Sequence, residues 1–429
     1  MQKKKKDGGT RYKGHRKDGR RGKGMHSLTL KPRLLRRRCA GPPDSDTVQK
    51  VMIITDPFVV QSGMVMMITS RLDEAKIEFE VFKDVVPDPP IDKVVAGVKA
   101  VMDYKPEAIV AVGGGSAIDS AKAIREFASR VGGLDNIALI AVPTTSGTGS
   151  EVTSFSVISD PQEQRKYPLV SESLLPTEAI LDAELTRSVP PAITADTGMD
   201  VFTHAMEAYV STQSTEFSAA LSEKAIEICG TFLLRAYLDG NDTHARKKMH
   251  IASCLAGLSF NAASLGINHS LAHQLGAHFH IAHGRANAML LPHIIEYNSM
   301  ITKNSRSQKT IPAQVEKYCT IARLLGVQNF NTVTTIRALV AWVQFMLREM
   351  DIPLSISQTG KCTRAEYFKA IPDMAEAAFR MPAPRPIRDS HPKTISWKST
   401  KDSGKKIRPD CTAPTVQSGF FVSESSNIQ

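Results

Sequence analysis

Between residues 51 and 142 the chain repeats one pattern three times: a short, nearly unbroken apolar run stopped by a turn-forming cluster. Val51–Thr55 stops at Asp56-Pro57, Ala108–Val112 at Gly113-Gly114-Gly115, and Ile137–Val142 at Pro143 and a Ser/Thr/Gly loop, with Ile77–Phe82 a further strand candidate. Runs of this length bounded by Gly and Pro read as strands, and strands without polar alternation are buried on both faces. Helical stretches such as Ile91–Tyr104 and Ala117–Val131 lie between them. Alternating buried strands and helices predict a parallel α/β sheet.

After about Pro190 the strand signals fade. Ala192–Val210, Glu216–Tyr237, His244–Ala263 and Thr335–Met350 read as amphipathic or buried helices, so the second half is predicted to be all-helical. A chain of 429 residues is too long for one small core. The expected division is an α/β domain over 47–190 and a helical domain over 191–380, flanked by a basic arm over 1–46 and a tail over 381–429. No internal repeat is visible.

Composition excludes several classes. Hydrophobic residues make up 42% and charged residues 23%, which fits neither a collagen nor a wholly disordered chain. No apolar run approaches the roughly 20 residues needed to cross a bilayer, so no membrane is expected as partner. The six cysteines, Cys39, Cys229, Cys254, Cys319, Cys362 and Cys411, show no C-x-x-C spacing and read as reduced thiols of a cytoplasmic protein. The formal charge of +11 is misleading. Residues 1–45 carry 16 Lys and Arg against 3 Asp, and residues 381–429 carry 8 against 4 Asp and Glu, which leaves 46–380 at −6. A mildly acidic body predicts no nucleic-acid groove.

Three motifs carry chemistry. Gly113-Gly114-Gly115-Ser116 follows a strand and opens a helix, where backbone N–H groups and the helix dipole hold phosphate. A tight βα turn would look the same. Pro143–Glu151 concentrates hydroxyls and glycines at the carboxyl edge of the sheet, where α/β folds bind ligands. Asp56, ending the first strand, is placed to bond a ribose hydroxyl and to repel a 2′-phosphate, which favours NAD over NADP; it also reads as a turn aspartate. The third motif is a metal-type constellation. Asp200 and His204 are spaced i, i+4, His269 and His273 repeat the spacing, and His283 follows a loop holding His278 and His280. A carboxylate with imidazoles and no thiolate suits Fe(II), Zn(II) or Mn(II), and only three or four of these side chains fit one ion with an open position.

At these residues the chain resembles the iron-dependent (group III) alcohol dehydrogenases. The matching stretches are GGGSAIDSAKAI (113–124), PTTSGTGSEVT (143–153), TGMDVFTHAMEAY (197–209) and GINHSLAHQLGAHFHIAHGRANAMLLPHIIEYN (266–298), within a similarity over roughly 47–379. The wording most resembles the alcohol dehydrogenases of ethanolamine and propanediol utilisation and the alcohol dehydrogenase half of bifunctional aldehyde/alcohol dehydrogenase. The resemblance implies a Rossmann-like NAD-binding domain followed by an all-helical, dehydroquinate-synthase-like metal domain. It implies Fe(II) held by Asp200, His204, His269 and His283, with His273 relaying protons. It places pyrophosphate on Gly113, Gly114, Gly115 and Ser116, the nicotinamide side on Thr144, Thr145 and Ser146, and a further cofactor contact on Lys166. The alcohol pocket falls on Phe155 and Phe260, whose aromatic rings suggest a small apolar alcohol or aldehyde. A homo-oligomer, in the cytoplasm or inside a bacterial microcompartment, also follows, although 1–46 shows no amphipathic targeting helix.

The ends depart from the family. Residues 380–401 can be back-translated so that a one-base shift reads DACTPTNPRQSPKDDIMEIYK, a family-like terminus in another frame. Residues 34–43 behave similarly. Both basic ends are therefore expected to be frame-shifted. A non-redox NAD-binding metalloenzyme on the same scaffold, a basic interaction protein and a damaged gene product stand beside the dehydrogenase reading.

Overall fold

The computed structural model of the protein describes residues 33–36, 48–161, 165–301 and 313–380. The remainder of the basic arm, the tail 381–429, Cys39 and Cys411 lie outside the described residues. The strands are β1 (Arg33–Arg36), β2 (Lys50–Thr55), β3 (Glu78–Phe82), β4 (Ala108–Gly113), β5 (Ala138–Pro143), β6 (Phe155–Asp160), β7 (Arg165–Val170) and β8 (Glu178–Leu181). Six form a parallel sheet in the order β1-β8-β5-β4-β2-β3, while β6 and β7 pair as an antiparallel ribbon. β1 lies inside the segment expected to be a basic arm. Helices α1 (Pro57–Gln61), α2 (Met66–Glu74), α3 (Ile91–Tyr104) and α4 (Gly115–Gly132) belong to this half of the chain.

The apolar runs are unbroken because two cores share each strand. Met52, Ile54, Ile109, Ala111, Leu139 and Ala141 pack with Val94, Val101, Ile118 and Ile124 of α3 and α4. Their neighbours Val51, Ile53, Val110, Val112, Ile140 and Val142 pack with Val59 and Leu72 of α1 and α2. The two-residue period of a strand sends alternate side chains to opposite faces, so both sets must be apolar. β3 is an edge strand, and its Glu78 and Glu80 are exposed, which discourages further strand pairing.

The second half is helical: α5 (Pro191–Val210), α6 (Glu216–Leu238), α7 (Thr243–Ala263), α8 (Ile267–Phe279), α9 (His283–Ser299), α10 (Ala313–Leu324), α11 (Thr332–Glu349) and α12 (Arg364–Arg380). α5 is its centre, with every residue from Gly198 to Val210 buried. Among the described residues no single helix is long and apolar enough to cross a membrane, and the four described cysteines are free.

One close contact joins the halves, and a buried network braces the α/β half beside it. Gly149 has φ +61°, and a Cβ there would stand 2.7 Å from Gly257 Cα of α7, so backbone meets backbone at this seam. Lys122 of α4 is fully buried and donates to Ser150 Oγ (2.9 Å), Thr153 O (2.8 Å) and Phe155 O (2.7 Å). Asp119 accepts from Val157 N at 3.0 Å. Together they bolt the start of β6 to the helix that follows the glycine turn.

Candidate metal centre

Asp200 and His204 lie one turn apart on α5, His269 and His273 one turn apart on α8, and His283 is the first residue of α9. One ligand atom each from Asp200, His204, His269 and His283 lies within 4.8 Å of the others. His269 Nε2 is 3.6 Å and His283 Nε2 is 3.7 Å from Asp200 Oδ1. The His204 and His269 rings stack at 4.5 Å. Close helix approach makes this convergence available: a Cβ on Gly284 would stand 2.7 Å from the Asp196 carbonyl carbon and 3.2 Å from Asp200 Cβ. Only glycine lets α9 begin against α5.

A second layer holds the donors. Glu207, buried on α5, accepts from Asn268 N at 2.8 Å and lies 2.5 Å from His269 Nδ1. Gly266 leaves room for this, since a Cβ there would sit 3.0 Å from Glu207 Cδ. Asn287 Nδ2 donates to Asp200 Oδ1 at 2.7 Å and lies 3.1 Å from His283 Nε2. Asn268 Nδ2 donates in turn to Asn287 Oδ1 at 2.9 Å.

The electrostatics suit a cation. Burial works against the Asp200 carboxylate, but the imidazoles of His204, His283 and His269 hold it well below the usual carboxylate range. Burial pushes His204 down to about 3 and His283 down to about 4. His269 is also buried, yet Asp200 and Glu207 raise it to about 9. His204 Nδ1 and His269 Nε2 are buried with no hydrogen-bond partner. Such atoms cost about 1–3 kcal/mol each when left bare. An ionised carboxylate, two bare buried nitrogens and no thiolate fit a divalent first-row metal.

His273 is near but separate. Its ring is 4.9 Å from His283, and its Nδ1 is buried without a partner. Burial, and after it the proximity of His283, His269 and Lys166, lowers it well below the usual imidazole range. His278 and His280 are not brought into the cluster: His278 Nδ1 lies 3.1 Å from Gln274 O, and exposed His280 ends α8 at φ +52°.

Phe260 stacks on His204 at 4.6 Å and faces Phe155 at 6.2 Å. These rings, with Ala208, Ala263 and Leu265, make an apolar wall beside the cluster. Phe155 is fixed from both sides, since Asn261 Oδ1 accepts from Ser154 N at 2.8 Å and Lys122 holds the Phe155 carbonyl.

The glycine turn and the hydroxyl loop meet beside the sheet. Thr144 N donates to Gly113 O at 2.9 Å, and a Cβ on Gly114 would contact Thr145 Oγ1 at 3.4 Å. α4 has no side-chain N-cap, so the N–H groups around Gly115 and Ser116 are open to an anion. Asp56 does two things. Its Oδ1 accepts from Val59 N at 3.0 Å as the N-cap of α1, and its Oδ2 faces Gly113, 3.1 Å from where a Cβ would be. Ser146 Oγ lies 3.1 Å from Nδ1 of buried His250. Lys166 on β7 pairs with Asp88 at 2.5 Å.

Glu207, Asn268, Asn287, Asp119 and Lys122 were not singled out from the sequence. Glu207 carried a signal: with Asp200 and His204 it completes an i, i+4, i+7 stripe on α5. Asn287 stands at i+4 from His283. Lys122 carried none, since a lysine in a helix usually faces water.

Comparison with known proteins agrees with this arrangement. The family model described as iron-containing alcohol dehydrogenase matches residues 43–183, and that of the C-terminal part of the same family matches 194–395. A 1-propanol dehydrogenase of Citrobacter freundii is 42% identical over 360 residues, 83% of this chain and 93% of that protein. An NADPH-dependent butanol dehydrogenase of Clostridium saccharobutylicum is 38% identical over 70% of this chain and 77% of that protein. The crystal structure of a 1,3-propanediol oxidoreductase aligns with a TM-score of 0.75 at 31% identity, covering 85% of this chain and 96% of that one. The two-part fold, the matched models and the extent of the relatives lead to one conclusion: this chain belongs to the iron-containing alcohol dehydrogenase family, a family of oxidoreductases.

Proposed function

We propose that the protein is an NAD- and Fe(II)-dependent dehydrogenase that interconverts a short primary alcohol, such as 1-propanol, and its aldehyde. The observation that carries this reading is the cluster of Asp200, His204, His269 and His283 donors within 4.8 Å, beside an apolar wall and a hydroxyl loop. These four residues would hold the metal, and Gly113–Ser116, Thr144–Ser146 and Lys166 would hold the cofactor. When bound, the metal supplies Lewis acidity towards the alcohol oxygen and the nicotinamide supplies hydride exchange.

The chain's own residues do the rest. Asp200 stays ionised at every working pH and balances cationic charge. Glu207 fixes the His269 ring by its Nδ1, which keeps Nε2 directed at Asp200. Phe155 and Phe260 exclude water and seat a short alkyl chain. His273, neutral and with a bare buried Nδ1, accepts the hydroxyl proton during oxidation and returns it during reduction. Asp56 supports NAD even though one relative is named as NADPH-dependent: the carboxylate facing Gly113 would meet a 2′-phosphate with like charge.

The test is anaerobic loading with Fe(II), followed by NADH absorbance with propanal while bound metal is measured. Consumption of NADH with metal bound supports the reading. Metal bound without consumption, across short aldehydes, would favour a non-redox reaction on the same scaffold.

A further inference from the structure

The ion pair between Asp88 and Lys166 takes no part in the scheme above, yet its position is built. Asp88 lies in the β3–α3 loop at φ +51°, a left-handed conformation that Asp and Asn tolerate better than most residues. Pro87, Pro89 and Pro90 flank it. Ser159 N of β6 donates to Pro89 O at 2.9 Å, and Pro90 bridges Ser159. The loop is thus fastened to the ribbon that carries Lys166. The lysine side chain is only 16% exposed, whereas the Asp88 side chain is 69% exposed. The strand that carries Lys166, β7, packs against α8, the helix that bears His269 and His273, so the pair stands on the side of the histidine cluster.

A half-buried cation beside that cluster is suited to an anionic ligand, but an aspartate already holds it. We infer that Asp88 is an internal competitor for Lys166, occupying the ammonium group in the free enzyme and releasing it to the anionic cofactor. The carboxylate swings to water, where its exposure lets it go at little cost. Its effect is to weaken cofactor binding and to speed cofactor release. This inference rests on the reading of Lys166 as a cofactor contact.

The test is NADH binding by fluorescence titration to the metal-loaded wild type, Asp88→Asn and Lys166→Met, at low and high salt. Asn keeps the left-handed backbone and removes only the charge. Asp88→Asn should bind NADH about two- to five-fold more tightly at low salt, the range of an exposed ion pair. The advantage should vanish near 0.5 M salt, where the Debye length is only about 4 Å, and stopped-flow release should slow by the same factor. Lys166→Met should bind more weakly than wild type. Weaker binding by Lys166→Met with unchanged or weaker binding by Asp88→Asn would overturn the inference and make Asp88 a clamp that orients the lysine. Unchanged binding by Lys166→Met would instead remove Lys166 from the cofactor contacts, and the inference with it.

Discussion

Glu207 Oε2 lies 2.5 Å from His269 Nδ1, with both side chains almost wholly buried. The carboxylate decides which ring nitrogen of His269 faces Asp200. Glu207→Gln keeps the shape and removes the charge. It should weaken metal binding about 10- to 100-fold, as losses of such outer partners do. Chelator competition measures it, and unchanged affinity would show that Glu207 serves packing alone. Because His269 is raised to about 9, it is protonated at pH 7 before loading. Metal uptake in weak buffer should therefore release about one proton, and affinity should rise with pH up to about 9.

Gly284→Ala would push a methyl group against the Asp196 backbone. Neither helix can yield through a side chain, so α9 must move away from α5 and carry His283 from Asp200. Overpacking of this kind costs about 1–3 kcal/mol. The expected outcome is a lower melting temperature together with reduced bound metal. A stable variant with full metal content would mean that α9 can shift without opening the cluster.

Glu151 is buried beside the Lys122 network, and burial raises it from 4.5 to about 7. The folded protein therefore prefers its neutral form. The resulting stabilisation is complete below pH 4.5 and is lost as pH rises through about 7. A shift of this size corresponds to on the order of 3 kcal/mol. Glu151→Gln should flatten the fall in stability between those pH values. Denaturant titrations at pH 5 and 7.5 compare the two proteins, and parallel pH dependences would contradict the assignment.

Phe155→Ala enlarges the apolar wall without touching a histidine. Relative kcat/KM for longer primary alcohols should rise by about tenfold for each accommodated methylene, with metal content unchanged. An unchanged ranking of alcohols would place the alkyl chain elsewhere.

Much of this could be read from the residues alone. β2, β4 and β5 were legible because both faces are buried and no polar residue interrupts them. The ribbon of β6 and β7 was not, because Phe155–Asp160 mixes serines with apolar residues on a half-exposed surface and β7 contains Pro168. β8 has only four residues. In the helical half, the repeated i, i+4 spacing marked the histidines, since neighbours on one helix face need no tertiary knowledge. Asn268 and Lys122 depend on partners 19 to 33 residues away, and no local pattern encodes such pairings. Lys122 also violates the rule that helix lysines face water, because four acceptor atoms offset its burial.

All four clustered donors come from α5, α8 and α9, whereas Asp56 and the glycine turn come from the other half of the chain. Selection can therefore act on the two separately. On the proposed reading of Asp56, a change of nucleotide would need substitutions in one half only, and a recombinant joined near residue 190 inherits its clustered donors intact from one parent. The Gly149–Gly257 seam is the exception: a Cβ on either residue would strike the backbone of the other, so each parent of such a recombinant must bring its own glycine to the seam.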